Sequence, residues 1–230
     1  MATADCDALR ERWIAMIDRI HDELTDLLWQ REQIRMIGKM IDDNSQLQQN
    51  DKPFLWSARR WYMVFAAMAV RRQTDLNEKA VSLKKVLSEI RDNPACITRQ
   101  VLVDHFRAVY PRADEVFENT IVDGVWNNWC DAYGRLNSER IVADLDKLDQ
   151  ESKSVLAFAS STLAHTSKKA IGKDFNLTFN DLDAVIDHLA RLAIAYGSLL
   201  TGRSSSTLLP TAQFDWYAQF RFPWKPAQQK

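Results

Sequence analysis

His165 closes the segment Ser160-Ser-Thr-Leu-Ala-His165 and stands just before Lys168-Lys169. A histidine that titrates near neutral pH moves protons as a general base or acid, and lysines beside it supply charge for a phosphate. An arginine five to seven residues upstream would complete such a site, but Phe158, Ala159 and Ser160 occupy those positions. A second candidate pair is Arg99 and His105 in Arg99-Gln-Val-Leu-Val-Asp-His105. With only four histidines in the chain, about one arginine–histidine pair at this kind of spacing arises by chance. Arg71 and Arg72 form a third candidate, in Arg71-Arg72-Gln-Thr-Asp75. The spacing to Asp75 suits an ion pair at a helix C-terminus, and the same guanidiniums suit bidentate capture of a phosphate or a partner's carboxylate. His188 beside Asp187 and His21 beside Asp22 are expected at the surface or at helix caps rather than as metal ligands.

Several chemistries are absent by inspection. There is no glycine-rich phosphate loop, no HExxH, no GxSxG, and no cysteine or histidine spacing for zinc, so neither cofactor nor metal is expected. Cys6, Cys96 and Cys130 are odd in number and widely separated, which predicts reduced thiols rather than a disulfide framework.

The elements that position these side chains are predicted to be helical throughout. Six glycines and six prolines in 230 residues, with 46% hydrophobic content, favour an all-α fold with a substantial core. Trp13, Ile17, Ile20, Leu24, Leu27, Leu28, Ile34 and Ile37 recur at three- and four-residue intervals and predict one long helix from Asp7 to Met40. The polar run 42–51 reads as a loop. The helix from Phe54 to Arg72 is apolar on more than one face, which predicts the central, most buried element. Ser82 and Thr98 are placed to cap short helices over Leu83 to Ile90 and on to Arg107, and Asp92-Asn-Pro94 breaks the chain between them. Residues 113–164 predict one or two long helices with a break near Asp131 to Asn137. Thr178-Phe-Asn-Asp181 caps the last amphipathic helix, which Gly202 stops.

Charge is distributed in blocks: residues 1–51 carry −5, residues 52–107 carry +6 and residues 114–151 carry −7. Such blocks either neutralise one another inside the domain or leave a basic face for nucleic acid. The tail, 203–230, is too aromatic for a free linker and is expected to pack on the bundle, through Phe214, Trp216, Tyr217, Phe220, Phe222 and Trp224. No linker divides the chain, so 1–230 reads as one domain: N-terminal helix and loop (1–51), bundle core (52–202) and packed tail (203–230). The N-terminus has no signal-peptide pattern and the longest apolar run, Met63 to Val70, is too short to span a bilayer, so a soluble cytoplasmic protein without membrane contact is expected.

The order Arg71-Arg-Gln-Thr-Asp75, Val81-Ser-Leu-Lys-Lys-Val-Leu87, Leu163-Ala-His165, Leu177-Thr-Phe-Asn-Asp-Leu182, Phe214-Asp-Trp216 and Phe220-Arg-Phe-Pro-Trp224 resembles the abortive-infection U-type (AbiU-like) branch of the HEPN superfamily, over about Trp56 to Trp224. The resemblance implies an antiparallel helical bundle, a homodimer, and a place in a prokaryotic defence or toxin–antitoxin type system. Many members of the superfamily are metal-independent endoribonucleases, with histidine as acid or base and arginine against the charged phosphorane. Branch members carry a basic residue four positions before the histidine, where this chain has Ser161. The expectation is a non-catalytic or degenerate member acting through protein or RNA contacts. The alternative is a ribonuclease in which His165 is served by Arg71, Arg72 or Arg99 from elsewhere in a dimer.

Overall fold

The computed structural model describes residues 3–45, 53–160, 177–203 and 205–218. Among them are seven α-helices: α1 (Thr3–Asp42), α2 (Pro53–Gln73), α3 (Leu83–Asp92), α4 (Arg99–Val109), α5 (Glu115–Trp126), α6 (Ser138–Phe158) and α7 (Phe179–Thr201), with a 3-10 turn at Pro94–Cys96. The described residues contain no strand, only an isolated antiparallel bridge between Cys130 and Leu136. The all-α expectation and the long N-terminal helix hold.

Local chemistry sets the helix ends. The Ser82 and Thr98 side chains accept from the Lys85 and Val101 amides and open α3 and α4. Asp114 and Asn137 do the same for α5 and α6, and Thr178 with Asp181 forms a full capping box on α7. Hydrogen bonds from Thr178 lower the pKa of Asp181. Gly202 ends α7 in the left-handed conformation at φ 68°, where a side chain would be strained and would press on the Phe106 backbone. The expected break between α5 and α6 is a loop over 127–137, in which Asp131 Oδ1 accepts from the Tyr133 and Arg135 amides and Gly134 takes a positive φ of 72°.

Cross-pairs fix the helix directions. Arg72 lies by Glu23, and a Cβ on Gly38 would meet Arg59, so α1 and α2 are antiparallel. His21 meets Ala193 and Arg35 meets Asp183, so α7 also runs against α1. Asp144 meets Tyr196 and Glu151 approaches His188, which makes α6 antiparallel to α7. Arg99–Asp123 and Arg107–Glu118 do the same for α4 and α5. Most of the buried apolar residues form one contiguous cluster, with Trp13, Phe106 and Tyr196 among its largest members.

Three sequence expectations are corrected here. The central helix is α7, not α2: α7 buries Leu182, Val185, Ile186, Leu189, Tyr196 and others on nearly all sides, while α2 leaves Phe54, Trp56 and Trp61 exposed. Apolar residues surround α2 because Phe54, Trp56 and Trp61 stand on its solvent side rather than because it is enclosed. Cys6 and Cys96 are joined in a disulfide, with Cα atoms 5.0 Å apart, and Cys130 alone is free. The start of α1 lies against the 3-10 turn, where Arg10 donates to the Cys96 carbonyl at 2.9 Å, and a 90-residue separation hides that juxtaposition from the sequence. Arg71 and Arg72 do not form the expected ion pair with Asp75. Arg72 turns back to Glu23 at 3.6 Å, and Asp75 accepts from the Asn77 amide in the turn after α2.

The charge blocks meet across helix contacts. Lys84–Asp149, Arg99–Asp123 and Arg107–Glu118 each join the basic middle of the sequence to the acidic stretch after it, and Arg72–Glu23 joins it to α1. In the tail, Leu208 and Leu209 pack on the core and Trp216 sets its ring edge-on to Trp29 at 5.7 Å, whereas Phe214 is exposed. Phe220, Phe222 and Trp224 lie outside the described residues. Among the described residues no helix is long and apolar enough to cross a membrane.

Candidate functional site

Arg99 is the first residue of α4 and reaches across to α5, donating from Nε to Asp123 Oδ1 at 2.7 Å and from Nη2 to Asn119 Oδ1 at 2.8 Å. His105 is six residues on, about 120° away around the helix axis. It is half-buried, and its Nδ1 is enclosed without a hydrogen-bond partner. No hydrogen bond joins the two among the described residues; the spacing that pairs them in sequence places them on different faces. Arg71 is half-buried and Arg72 exposed at the end of α2. His165, Lys168 and Lys169 lie outside the described residues.

Two polar clusters between helices were not foreseen. The first lies between α6 and α7. His188 is 4% exposed, against the expected surface position. Its Nδ1 is 3.3 Å from Arg191 Nη2 and 3.8 Å from Glu151 Oε2. Arginine only donates, so Nδ1 accepts and the neutral ring carries its proton on Nε2, which is buried without a partner. Burial lowers the His188 pKa; Glu151 pulls it up, while Lys147 and Arg191 push it down further. The seam continues to the Tyr196 hydroxyl, which donates to Asp144 at 3.0 Å, and to Trp129, whose ring meets Tyr196 edge-on and carries the Arg140 guanidinium 4.0 Å above it. Asp144, Lys147 and Glu151 recur at three and four residues, a signal for one face of α6, but nothing in the sequence says that the face meets a histidine.

The second cluster lies where α1, α2 and α7 meet. Arg35 donates to Asp183 at 2.7 Å, and Arg31 lies 2.7 Å from Asp187 as an ion pair without hydrogen-bond alignment. The Tyr62 ring stacks on Phe179, and its hydroxyl is buried with no partner. Burial, with Asp183 adding to it, pushes the Tyr62 pKa well above the usual range, so the phenol stays neutral. Arg31/Arg35 and Asp183/Asp187 are each four apart, and that matched spacing was readable in the sequence as two complementary helix faces. His21, also expected at the surface, is half-buried and shares a hydrogen bond with the Ala193 carbonyl at 2.9 Å.

These groups hold helices together. No group of three or more His, Cys, Asp and Glu side chains among the described residues is arranged to hold a metal ion. A depression between the 3-10 turn and the 127–137 loop includes Thr98, Cys130, Asp131, Arg135 and Glu139 in its lining, and the Asp131 carboxylate is turned to the loop's own amides. The class that fold and site define is an antiparallel helical bundle with charged clamps between helices. Compared with known proteins, the chain matches no family model, no curated protein and no solved structure.

Proposed function

We propose that this protein is a non-catalytic, HEPN-like helical module of a prokaryotic defence or toxin–antitoxin type system, working by contact with protein surfaces. One observation carries the non-catalytic reading: Arg99 is turned to Asp123 and Asn119 and away from His105, so the arginine–histidine spacing inside α4 serves packing. The upstream positions of His165 supply no arginine in its place. The ion pairs that tie Arg72, Lys84, Arg99 and Arg107 of the basic middle to acidic residues of other helices favour protein contact over a nucleic-acid face. The defence context rests on the resemblance of the ordered motifs to the abortive-infection U-type branch.

The reading is tested by passing total RNA over immobilised protein at low and rising salt. No retention is expected. Retention that falls steeply with salt, and that is lost when Arg71 and Arg72 become alanine, would replace protein contact with RNA binding.

A further inference from the structure

The start of α1 buries little of its own surface. From Asp5 to Arg12 no residue is buried: Cys6, Leu9 and Arg10 are half-buried and the rest are exposed. Enclosure begins at Trp13, which is fully buried. A helix end with so little packing frays, because few apolar contacts offset the entropy of ordering it and its backbone hydrogen bonds stand open to water.

Two ties hold this arm ahead of Arg12, and both end on Cys96 in the 3-10 turn. One is the disulfide to Cys6; the other is Arg10 Nη1, which donates to the Cys96 carbonyl at 2.9 Å. Leu9 adds a half-buried contact with the core. The next tie, from Arg12 Nη2 and Trp13 Nε1 to Glu89 Oε2 at 2.6 and 2.8 Å, falls where the packed part of the helix begins. The two sulfurs are unequally placed as well: Cys96 is fully buried, whereas Cys6 is half-buried among exposed neighbours. Thiol–disulfide exchange requires a thiolate to reach one sulfur, so access selects Cys6.

We infer that Cys6–Cys96 is a reversible redox site that docks and releases the arm from Thr3 to Arg12, with a small thiol of the glutathione type as its reductant. The incoming thiolate attacks Cys6 Sγ, the Cys6–Cys96 bond breaks, and Cys96 leaves as a thiolate that takes up a proton. A second small thiol attacks the mixed disulfide on Cys6, and Cys6 leaves in the same way. Two small thiols have then become one disulfide, and the protein's disulfide has become two thiols. The small disulfide reverses both steps. In the reduced chain Arg10 and Leu9 alone hold the arm, so it undocks while the helix from Trp13 onward stays packed.

Hydrogen exchange of the full chain, read by mass spectrometry before and after reduction with glutathione, tests the inference. The first four amides of a helix lack partners in it, so the informative ones run from Asp7 to Arg12. They are expected to exchange about tenfold faster or more in the reduced chain, with Trp13 to Leu28 unchanged. Cys6→Ser is expected to show the reduced pattern without reductant, and glutathione disulfide to restore the docked pattern in the wild type. A brief glutathione pulse quenched with N-ethylmaleimide is expected to leave glutathione on Cys6 and maleimide on Cys96. Equal exchange in the two forms overturns the inference, and so does a link that millimolar glutathione leaves intact in the folded chain. A reduced chain that exchanges faster throughout overturns it too, because the link would then hold the whole bundle. Glutathione found on Cys96 would overturn the assignment of Cys6 as the attacked sulfur.

Discussion

His188 Nδ1 sits 3.8 Å from Glu151 Oε2, and that carboxylate oxygen and the far ring nitrogen of His188 are both buried without a hydrogen-bond partner. α6 and α7 thus meet over a histidine that the fold holds neutral, with Asp144, Lys147 and Glu151 facing it from α6 and Arg191 beside it on α7. A neutral buried imidazole ties stability to pH.

Because burial lowers the His188 pKa, the unfolded chain takes up this proton at a higher pH than the folded one. Below the ordinary histidine value of about 6.5 the unfolded state binds more protons, so the His188 contribution is complete above that pH and declines as pH falls beneath it. Thermal melts from pH 8 down to about 5 are expected to fall more steeply for the wild type than for His188→Leu. Parallel curves would show that His188 is not held neutral.

The Cys6–Cys96 link closes a loop of 90 residues, which in the chain-entropy model stabilises by about 4–5 kcal/mol. The unreduced, denatured chain is expected to titrate one thiol, Cys130, and the reduced chain three. Reduction is expected to lower the melting temperature. Three thiols before reduction would contradict the pairing.

Gly197 gives α1 its close approach to α7. A Cβ there would stand 2.6 Å from His21 Cε1 and 2.8 Å from Nε2, inside any real contact. Gly197→Ala is expected to cost about 1–3 kcal/mol, measured by urea unfolding, because the His21 ring must leave the Ala193 carbonyl. His21→Ala in the same chain is expected to recover part of that loss, and simple additivity of the two changes would refute the contact.

Tyr62 has the opposite sensitivity. Its hydroxyl is buried and unpartnered, so removing it relieves a desolvation cost while the ring keeps its stack on Phe179. Tyr62→Phe is expected to match or exceed the wild type in melting temperature. A clear loss would mean that the hydroxyl is satisfied.

How much of this was legible depends on the range of the interaction. Caps at Ser82, Thr98 and Thr178, the stop at Gly202 and the apolar spacing of α1 are local, and the sequence displays them directly. Burial of His188 and pairing of Cys6 with Cys96 depend on which helices become neighbours, and no local pattern encodes that. α2 was misjudged because an apolar run looks the same whether it faces a core or solvent. For Arg99 and His105 the spacing along a helix fixes the face, and Asp123 and Asn119 on α5 then decide what the arginine does.

RNA cleavage in EDTA bears most directly on the central claim that Arg99 and His105 serve packing and that the protein is not a ribonuclease. Total RNA would be incubated with the wild type and with Arg99→Ala, His105→Ala and His165→Ala. Equal, negligible cleavage by all four is predicted, with a lowered melting temperature for Arg99→Ala alone as the α4–α5 clamp is lost. Cleavage by the wild type that any of these substitutions abolishes would contradict the account.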